Sequence, residues 1–255
     1  MMDILTHVGD GIMGVELNRP GKKNALTSDM YGLLTEAFEK AERDDAVRVI
    51  LIHGKPDVFT AGNDLEDFMK RPPQGEDTPV FRFLGAASQA TKPLVAAVNG
   101  AAVGIGTTLL LHCDLVYAGD NARFRLPFAS LGLVPEFASS YLLPLVAGYQ
   151  RAAELLLLGE PFGPDVALAA GFVTRVVPAA QTLDAAWEAA RKLAALPAKS
   201  VRTTKALLKG AHAAAVRNQL QLEGRHFREM LSEPAAREAL AAFLEKRRPD
   251  FTKIP

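Results

Sequence analysis

The chain has 255 residues, of which 49% are hydrophobic, and this is enough for one large domain or for a domain with an appended segment. Its formal net charge is zero, so no overall field attracts nucleic acid or an anionic membrane. Residues 182–255 carry 14 Lys and Arg against 8 Asp and Glu, whereas the first 181 residues carry 15 against 21. This asymmetry predicts packing between a basic C-terminal segment and an acidic main part, or an anionic ligand near the tail. Solvated helix faces explain it almost as well.

The single cysteine, Cys113, excludes an intramolecular disulfide and a cysteine metal cluster. The first residues form no basic, apolar leader, and no run of about eighteen apolar residues occurs in the chain. The last residues, 253–255, are not a peroxisomal address. We therefore expect a soluble cytoplasmic protein with no membrane or nucleic-acid partner.

The first elements follow from alternation and turn chemistry. Residues 3–18 alternate around a glycine turn, which predicts a β-hairpin, and residues 18–24 form a loop. Thr27 or Ser28 is a suitable cap for a helix whose apolar positions recur at spacings of three and four. Residues 47–53 form a short apolar strand.

A second glycine loop covers residues 59–65, between that strand and a predicted helix. Asp64 is a candidate cap for this helix, which leaves backbone N–H groups around Gly62 and Asn63 free. Residues 71–79 contain three prolines and two acids, and they form a candidate lid or a long surface loop.

The order of strand, glycine loop and helix then repeats. After a predicted helix over residues 80–90, residues 93–98 form a buried strand that leads into residues 101–111, which we interpret as a helix start. The same order occurs over residues 47–68 and 93–111, and it favours an α/β architecture of ββα-like units. Gly104-x-Gly106 lacks the third glycine of a dinucleotide fingerprint, and the chain has no Walker lysine, zinc-type histidine pair or serine elbow.

The C-terminal part has a different pattern. Residues 113–117 and 173–177 indicate two further strands, and from Leu183 onward the pattern is helical with breaks at Pro197, Gly210 and Pro234. We therefore predict a core over residues 1–197 and a helical C-terminal module over residues 198–255.

Glu136 is the only carboxylic acid between Asp120 and Glu154, and its sequence neighbours are apolar. A lone acid in such a run loses hydration on folding, which raises its pKa from about 4.3 toward the neutral range and suits a general base. The alternative is structural, because Pro135 and Glu136 are also favourable residues for the first turn of a helix.

Several stretches together resemble the crotonase superfamily, the enoyl-CoA hydratase/isomerase family. They occur in order along almost the whole chain and comprise residues 4–26, 59–65, 92–106, 113–118, 169–173 and 243–249. The resemblance implies a crotonase-type spiral of repeated ββα units, a helical C-terminal trimerisation module, and the binding of acyl-CoA thioesters.

The resemblance also implies roles for single residues. Two backbone N–H groups that hold the thioester oxygen in the family map onto Asn63 and Ile105. The two glutamates of the family's hydratases are replaced here by Thr108 and Phe128. An acid at the position of Glu136 is the single base of the Δ3,Δ2-enoyl-CoA isomerase branch, so the resemblance favours the catalytic interpretation of Glu136.

The sequence therefore predicts an isomerase that moves a 3-enoyl-CoA double bond to position 2. We expect no metal and no separate cofactor, since CoA enters as part of the substrate, and a homotrimer or a dimer of trimers. The expected CoA-binding residues are Lys22, Lys23, Ala25, Ala61, Gly62, Asp64, Leu65 and Gly104. Two alternatives stay open, namely a hydratase or another crotonase reaction, and a non-catalytic acyl-CoA binding protein. The isolated histidines His53, His112 and His212 are interpreted as structural or surface residues.

Overall fold

The strands form two sheets in a computed structural model that describes residues 2–73, 75, 77–252 and 254. The six-stranded sheet has the order β1-β2-β3-β5-β7-β9, with β1 and β2 antiparallel and the other neighbours parallel. The three-stranded sheet has the order β4-β6-β8 and is parallel. The strands are β1 (Ile4–Gly9), β2 (Ile12–Leu17), β3 (Val49–His53), β4 (Val58–Thr60), β5 (Leu94–Val98), β6 (Ala101–Val103), β7 (Leu115–Gly119), β8 (Arg123–Arg125) and β9 (Arg175–Val177).

The helices follow the strands and fill the C-terminal part. They are α1 (Ser28–Arg43), α2 (Leu65–Lys70), α3 (Pro79–Ser88), α4 (Ile105–Thr108), α5 (Ser139–Ala147), α6 (Tyr149–Ala153), α7 (Pro164–Ala169), α8 (Thr182–Ala195), α9 (Ala198–Gly210), α10 (Ala213–Leu231) and α11 (Pro234–Leu244). Within the described residues, no helix is both long enough and apolar enough to cross a membrane.

The chain repeats a ββα unit in which the two strands belong to different sheets. β3 lies in the large sheet, β4 in the small sheet, and α2 follows; β5, β6 and α4 repeat this order. Strands β3 and β5 are buried along almost their whole length, as expected for parallel strands covered on both faces. Helix α8 covers one face of the large sheet, while the main apolar core occupies the other. The α/β architecture predicted from the sequence is thus confirmed.

The short strands are where the sequence-based prediction was wrong. Residues 101–103 form strand β6, not the start of a helix, and α4 begins at Ile105. The strands β4 and β8 were not predicted separately. Each of these strands has three residues, which is too short for the alternation that distinguishes a strand from a helix in an apolar run.

The structural alternative for Glu136, a place in the first turn of a helix, is not what the structure has, because α5 begins at Ser139. The segment 71–79, predicted to be a lid or a long surface loop, includes Gln74 and Glu76, which lie outside the described residues. On either side of these two residues, Arg71 pairs with Asp29 and Asp67, and α3 begins at Pro79.

The helices after residue 197 contact the loop that contains Glu136. Helix α10 packs against α5, and α11 packs against the turn at residues 129–131. Gly132 (φ +67) allows this second contact, because a Cβ there would lie 2.6 Å from the Ala236 nitrogen. A division into two domains at residue 197 stays a prediction.

Candidate active site

Two glycine loops meet at the carboxyl edge of the small sheet. Strands β4 and β6 are parallel neighbours, so the loops that follow them leave the sheet at the same edge. A Cβ on Gly62 would lie 2.8 Å from the Val103 carbonyl oxygen, and one on Gly106 would lie 2.5 Å from Thr60 Cγ2. Glycine is therefore required at both positions for the loops to approach this closely, and Gly62 also has a φ of +88.

Asn63 directly follows Gly62 in the first of these loops, and Ile105 directly follows Gly104 in the second. In the part of the chain that the structure describes, neither backbone N–H has a hydrogen-bond acceptor. Ile105 is the first residue of α4, where amides have no partner within the helix. The Asn63 side chain is fixed separately, because Tyr31 donates its hydroxyl proton to Asn63 Oδ1 at 2.5 Å. The two predicted oxyanion donors are thus available to a ligand.

A cleft of about 520 Å³ runs past both amides. Every residue predicted to bind CoA lines it, together with Asn63 and Ile105; these residues are Lys22, Lys23, Ala25, Ala61, Gly62, Asp64, Leu65 and Gly104. Side chains of α10 and α11, including Phe227, Leu240 and Phe243, form another wall. The structure therefore brings together residues that are more than two hundred positions apart in the sequence.

The lysine loop and the first glycine loop are joined by a backbone hydrogen bond from Ala61 N to Lys23 O at 2.9 Å. Lys22 and Lys23 are exposed, and they have no acidic partner within 4.0 Å among the described residues. Their charges are available to an anion at the mouth of the cleft.

Asp64 has a structural role in the folded chain. Its carboxylate caps α2 by accepting from Asp67 N at 3.1 Å, and it forms an ion pair with Arg19 at 2.7 Å. Partial burial raises the pKa of Asp64, but the bonds from Arg19 and Asp67 outweigh it and lower that pKa overall. The cap predicted from the sequence is confirmed.

Glu136 lines a second, narrow pocket that adjoins the cleft. Asn63, Phe68 and Phe227 line both spaces. The pocket has a volume of about 20 Å³, which is room for roughly one water molecule. Its other walls are apolar and consist of Pro73, Val80, Phe81, Leu84, Phe137, Leu220 and Gly224. The carboxylic acid thus lies in a largely apolar pocket that Asn63 also lines.

Burial raises the pKa of Glu136 to about 8. The Thr108 hydroxyl donates a hydrogen bond to Glu136 Oε1 and thereby opposes this rise, while the nearby carboxylate of Glu223 adds to it. Tyr31, also buried, has a raised pKa because of desolvation and the proximity of Glu136. The elevated pKa expected from the sequence is therefore present, and its main cause is desolvation.

Glu136 is followed by an unusual turn. Phe137 and Ala138 have φ values of +61 and +56, and α5 begins directly afterwards. The carbonyl oxygen of Glu136 accepts from Ser139 N at 3.1 Å and from Ser139 Oγ at 2.6 Å. The Phe137 carbonyl accepts from His112 Nε2 at 2.7 Å. Burial lowers the pKa of His112 to about 3, so this histidine is neutral and has the structural role expected for it.

Comparison with known proteins identifies the family. The family model described as enoyl-CoA hydratase/isomerase matches residues 7–254. The chain belongs to the enoyl-CoA hydratase/isomerase family. It is 37% identical to the 1,2-epoxyphenylacetyl-CoA isomerase of Escherichia coli K12, with 98% of each chain covered. It is also 37% identical to human enoyl-CoA delta isomerase 2, over 78% of this chain and 52% of that protein.

The crotonase fold is confirmed by solved structures. An enoyl-CoA hydratase/isomerase from Pseudoalteromonas atlantica T6c superimposes with a TM-score of 0.94 at 41% identity, and covers 98% of this chain and 100% of that one. The protein is thus an enzyme of the crotonase superfamily. Hydratases are also among its relatives, so membership alone does not select the reaction.

The sequence did not reveal the roles of two residues of the site. Thr108 was noted only as the replacement of a hydratase glutamate, yet its hydroxyl contacts the Glu136 carboxylate. Glu223 was missed, although it is an acid on the apolar face of α10 between Leu220 and Phe227, and that spacing was visible in the sequence. Phe128, at the other replaced position, is buried and lines the cleft.

Proposed function

We propose that this crotonase-family enzyme converts a 3-enoyl-CoA into the 2-enoyl-CoA, with Glu136 as its single base. One observation carries the proposal: Glu136 is a carboxylic acid with a raised pKa in an apolar pocket that shares Asn63 with the cleft of the free amides. A base of this kind retains substantial proton affinity near neutral pH, as proton abstraction requires.

The chemistry follows from these positions. Glu136 removes a proton from C2, and the electrons delocalise over C2, C3 and C4 and onto the thioester oxygen. The N–H groups of Asn63 and Ile105 stabilise that oxygen; in other enzymes such a donor contributes roughly 3 to 4 kcal/mol to the transition state. Glu136 then returns the proton at C4, which leaves the double bond between C2 and C3. Because nothing is added to the substrate, one base is sufficient.

The other acids along the cleft support a single base. The described acids that line the two adjoining spaces are Asp64, Glu66 and Glu136. Asp64 is engaged with Arg19 and has a lowered pKa, and Glu66 is exposed in the first turn of α2. Addition of water by the family's hydratases uses two glutamates, whereas this chain has Thr108 and Phe128 in their place. An isomerase is therefore favoured over a hydratase.

The decisive experiment is a product analysis with 3-enoyl-CoA and 2-enoyl-CoA substrates of several chain lengths. The wild-type enzyme is expected to convert the first into the second, and Glu136→Gln to lose at least the factor of about 10² to 10⁴ that a general base contributes. Thioester affinity should change little. Glu160→Gln, which alters an exposed acid outside the site, is the matched control.

Three results would contradict the proposal. Hydroxyacyl-CoA as the main product from the 2-enoyl substrate would identify a hydratase. Tight thioester binding without turnover would identify a binding protein. Isomerisation by Glu136→Gln at close to the wild-type rate would show that another group is the base.

A further inference from the structure

The backbone conformation of the turn after Glu136 is unfavourable by itself. Phe137 and Ala138 both adopt the left-handed region, with φ values of +61 and +56. Residues with a Cβ are uncommon there, and two in succession persist only when surrounding contacts hold them. Which residues hold this turn therefore decides where the Glu136 carboxylate lies.

Three hydrogen bonds from the turn and the start of α5 are accepted by Glu223 on α10. Its Oε2 accepts from Ala138 N at 2.6 Å, and its Oε1 accepts from Ser140 N at 2.9 Å and also from the Ser140 hydroxyl. Gln219, one helical turn earlier, donates to Ser140 Oγ at 2.7 Å. Glu223 is only 4% exposed. A buried acid from the C-terminal helices thus binds the amide of Ala138, the second left-handed residue, and the amide of Ser140 in the first turn of α5.

Glu223 does not line the pocket of Glu136, although its neighbour Gly224 does. Its carboxylate oxygens are engaged by groups of residues 138 and 140. Any effect of Glu223 on the reaction must therefore pass through the turn or through its charge, and not through contact with the substrate.

We propose that Glu223 is a positioning residue, which holds the turn after Glu136 and acts on that carboxylate by its charge. This inference rests on the proposed role of Glu136 as the base. A carboxylate is suited to the first task because it accepts several hydrogen bonds at once, and bonds from N–H groups to an ionised acceptor are stronger than those to a neutral one.

The charge of Glu223 has a second consequence. Burial raises the pKa of Glu223 overall, and the bonds from Ser140 and Ala138 oppose this rise by stabilising its ionised form. Ionised Glu223 in turn raises the pKa of Glu136. Other titratable groups near the turn include Tyr31, whose pKa is raised by burial, neutral His112, and Tyr141, whose hydroxyl pairs with His212 Nδ1 at 2.9 Å. Removal of the Glu223 charge should therefore lower the pKa of the base.

Two substitutions separate position from charge. Glu223→Gln keeps the length of the side chain and removes the charge, and its NH₂ group cannot accept from the turn. Glu223→Asp keeps the charge and shortens the reach. Glu229→Gln removes the same charge from an exposed position on the same helix that lines neither the pocket nor the cleft, and is the matched control.

For Glu223→Gln we expect turnover of 3-enoyl-CoA to fall by about 10- to 100-fold, the scale of a small misplacement of a catalytic group. The KM should change less than about twofold, since this residue does not line the substrate spaces. The acid limb of the pH profile should move to lower pH. Glu223→Asp should have a lower turnover, but the acid limb of its pH profile should not shift. Glu229→Gln should match the wild type in turnover and in the position of the acid limb.

Amide hydrogen exchange gives a readout that needs no turnover. Exchange in a peptide covering residues 136–141 should accelerate in both Glu223 variants, while peptides from the core strands keep wild-type protection. Global loss of protection in Glu223→Gln would leave Glu223→Asp as the deciding variant.

The inference would be overturned if a folded Glu223→Gln protein had the turnover, the KM and the acid limb of the pH profile of the wild type. If the wild-type enzyme does not isomerise 3-enoyl-CoA, the proposed function fails by itself. In that case faster exchange in residues 136–141 still supports Glu223 as the group that holds the turn, and unchanged exchange overturns it.

Discussion

At Glu136, desolvation and a donated hydrogen bond act on the pKa in opposite directions. Burial raises the pKa to about 8, against the bond from Thr108. An acid with this pKa is a stronger base than an exposed glutamate, but a smaller fraction of it is ionised at pH 7. As the proposed base, Glu136 therefore has a favourable proton affinity, but only part of it is in the ionised form that can accept a proton at pH 7.

The pH dependence of the wild-type enzyme follows directly. The base must be ionised to accept a proton, so kcat/KM for 3-enoyl-CoA should rise with pH and level off above about 8, the pKa of Glu136. Below that value it should fall about tenfold per pH unit. A profile that stays flat down to about pH 5, near the ordinary glutamate value, would contradict a buried base.

Thr108 provides a test of the opposing contribution. Thr108→Val removes the hydroxyl that stabilises the ionised carboxylate, so the apparent pKa of the base should rise further and the rate at pH 7 should fall. Thr108→Ser retains a hydroxyl and should restore most of the wild-type profile. Because Thr108 is fully buried, thermal unfolding of both variants should be measured alongside the pH profiles. An unshifted limb in Thr108→Val would show that this bond does not affect the base.

At the scale of elements, the site depends on two parallel strands of three residues each, β4 and β6, which bring their loops to one edge of the small sheet. The loops contact each other through glycine positions that admit no side chain. The Ile105 amide is free because Ile105 is the first residue of α4, so no carbonyl of an earlier helical turn is present to accept from it.

Ile105→Pro tests whether this amide acts. Ile105 is the first residue of α4, a position that tolerates proline, so the main local change is the loss of the N–H donor. The Ile105 side chain is 2% exposed and belongs to the core, so its loss should also destabilise the fold.

Ile105→Ala is therefore the control, because it loses similar packing but keeps the donor. We expect Ile105→Pro to turn over at least about 100-fold more slowly than Ile105→Ala, the effect of removing one oxyanion donor. Equal turnover by two folded variants would remove Ile105 from the mechanism.

On the scale of the whole molecule, the helices after residue 197 contribute residues to the site and also expose apolar side chains to solvent. The Glu223 side chain of α10 binds the turn after Glu136, while Leu207 and Leu208 on α9 are each 76% exposed and Phe243 on α11 is 60% exposed. Large apolar side chains exposed together commonly mark a surface that contacts another protein.

We predict that residues 198–255 assemble the protein into a homotrimer or a dimer of trimers. Sedimentation at micromolar concentration should give a mass of three or six chains. Leu208→Glu should weaken the assembly, whereas Ser200→Glu adds the same charge at an exposed polar position of α9 and is the control. A monomeric wild-type mass would contradict the prediction.

The longer elements could be predicted from local patterns. The hairpin, α1 with its Thr27 cap, the Asp64 cap and the helical C-terminal part were all visible, because periodicity and capping are properties of neighbouring residues. The three-residue strand at 101–103 was not, because its pairing with β4 and β8 decides its conformation.

The sequence by itself determined the family, the two glycine loops and the isolation of Glu136 among apolar residues. Only the tertiary structure decided that the Glu136 pocket adjoins the cleft, that Thr108 donates to this carboxylate, and that Glu223 holds the turn behind it. Glu223 is 85 positions from Ala138. Contacts across such distances arise from the packing of whole helices against the core, and this packing depends on shape and burial that no local pattern records.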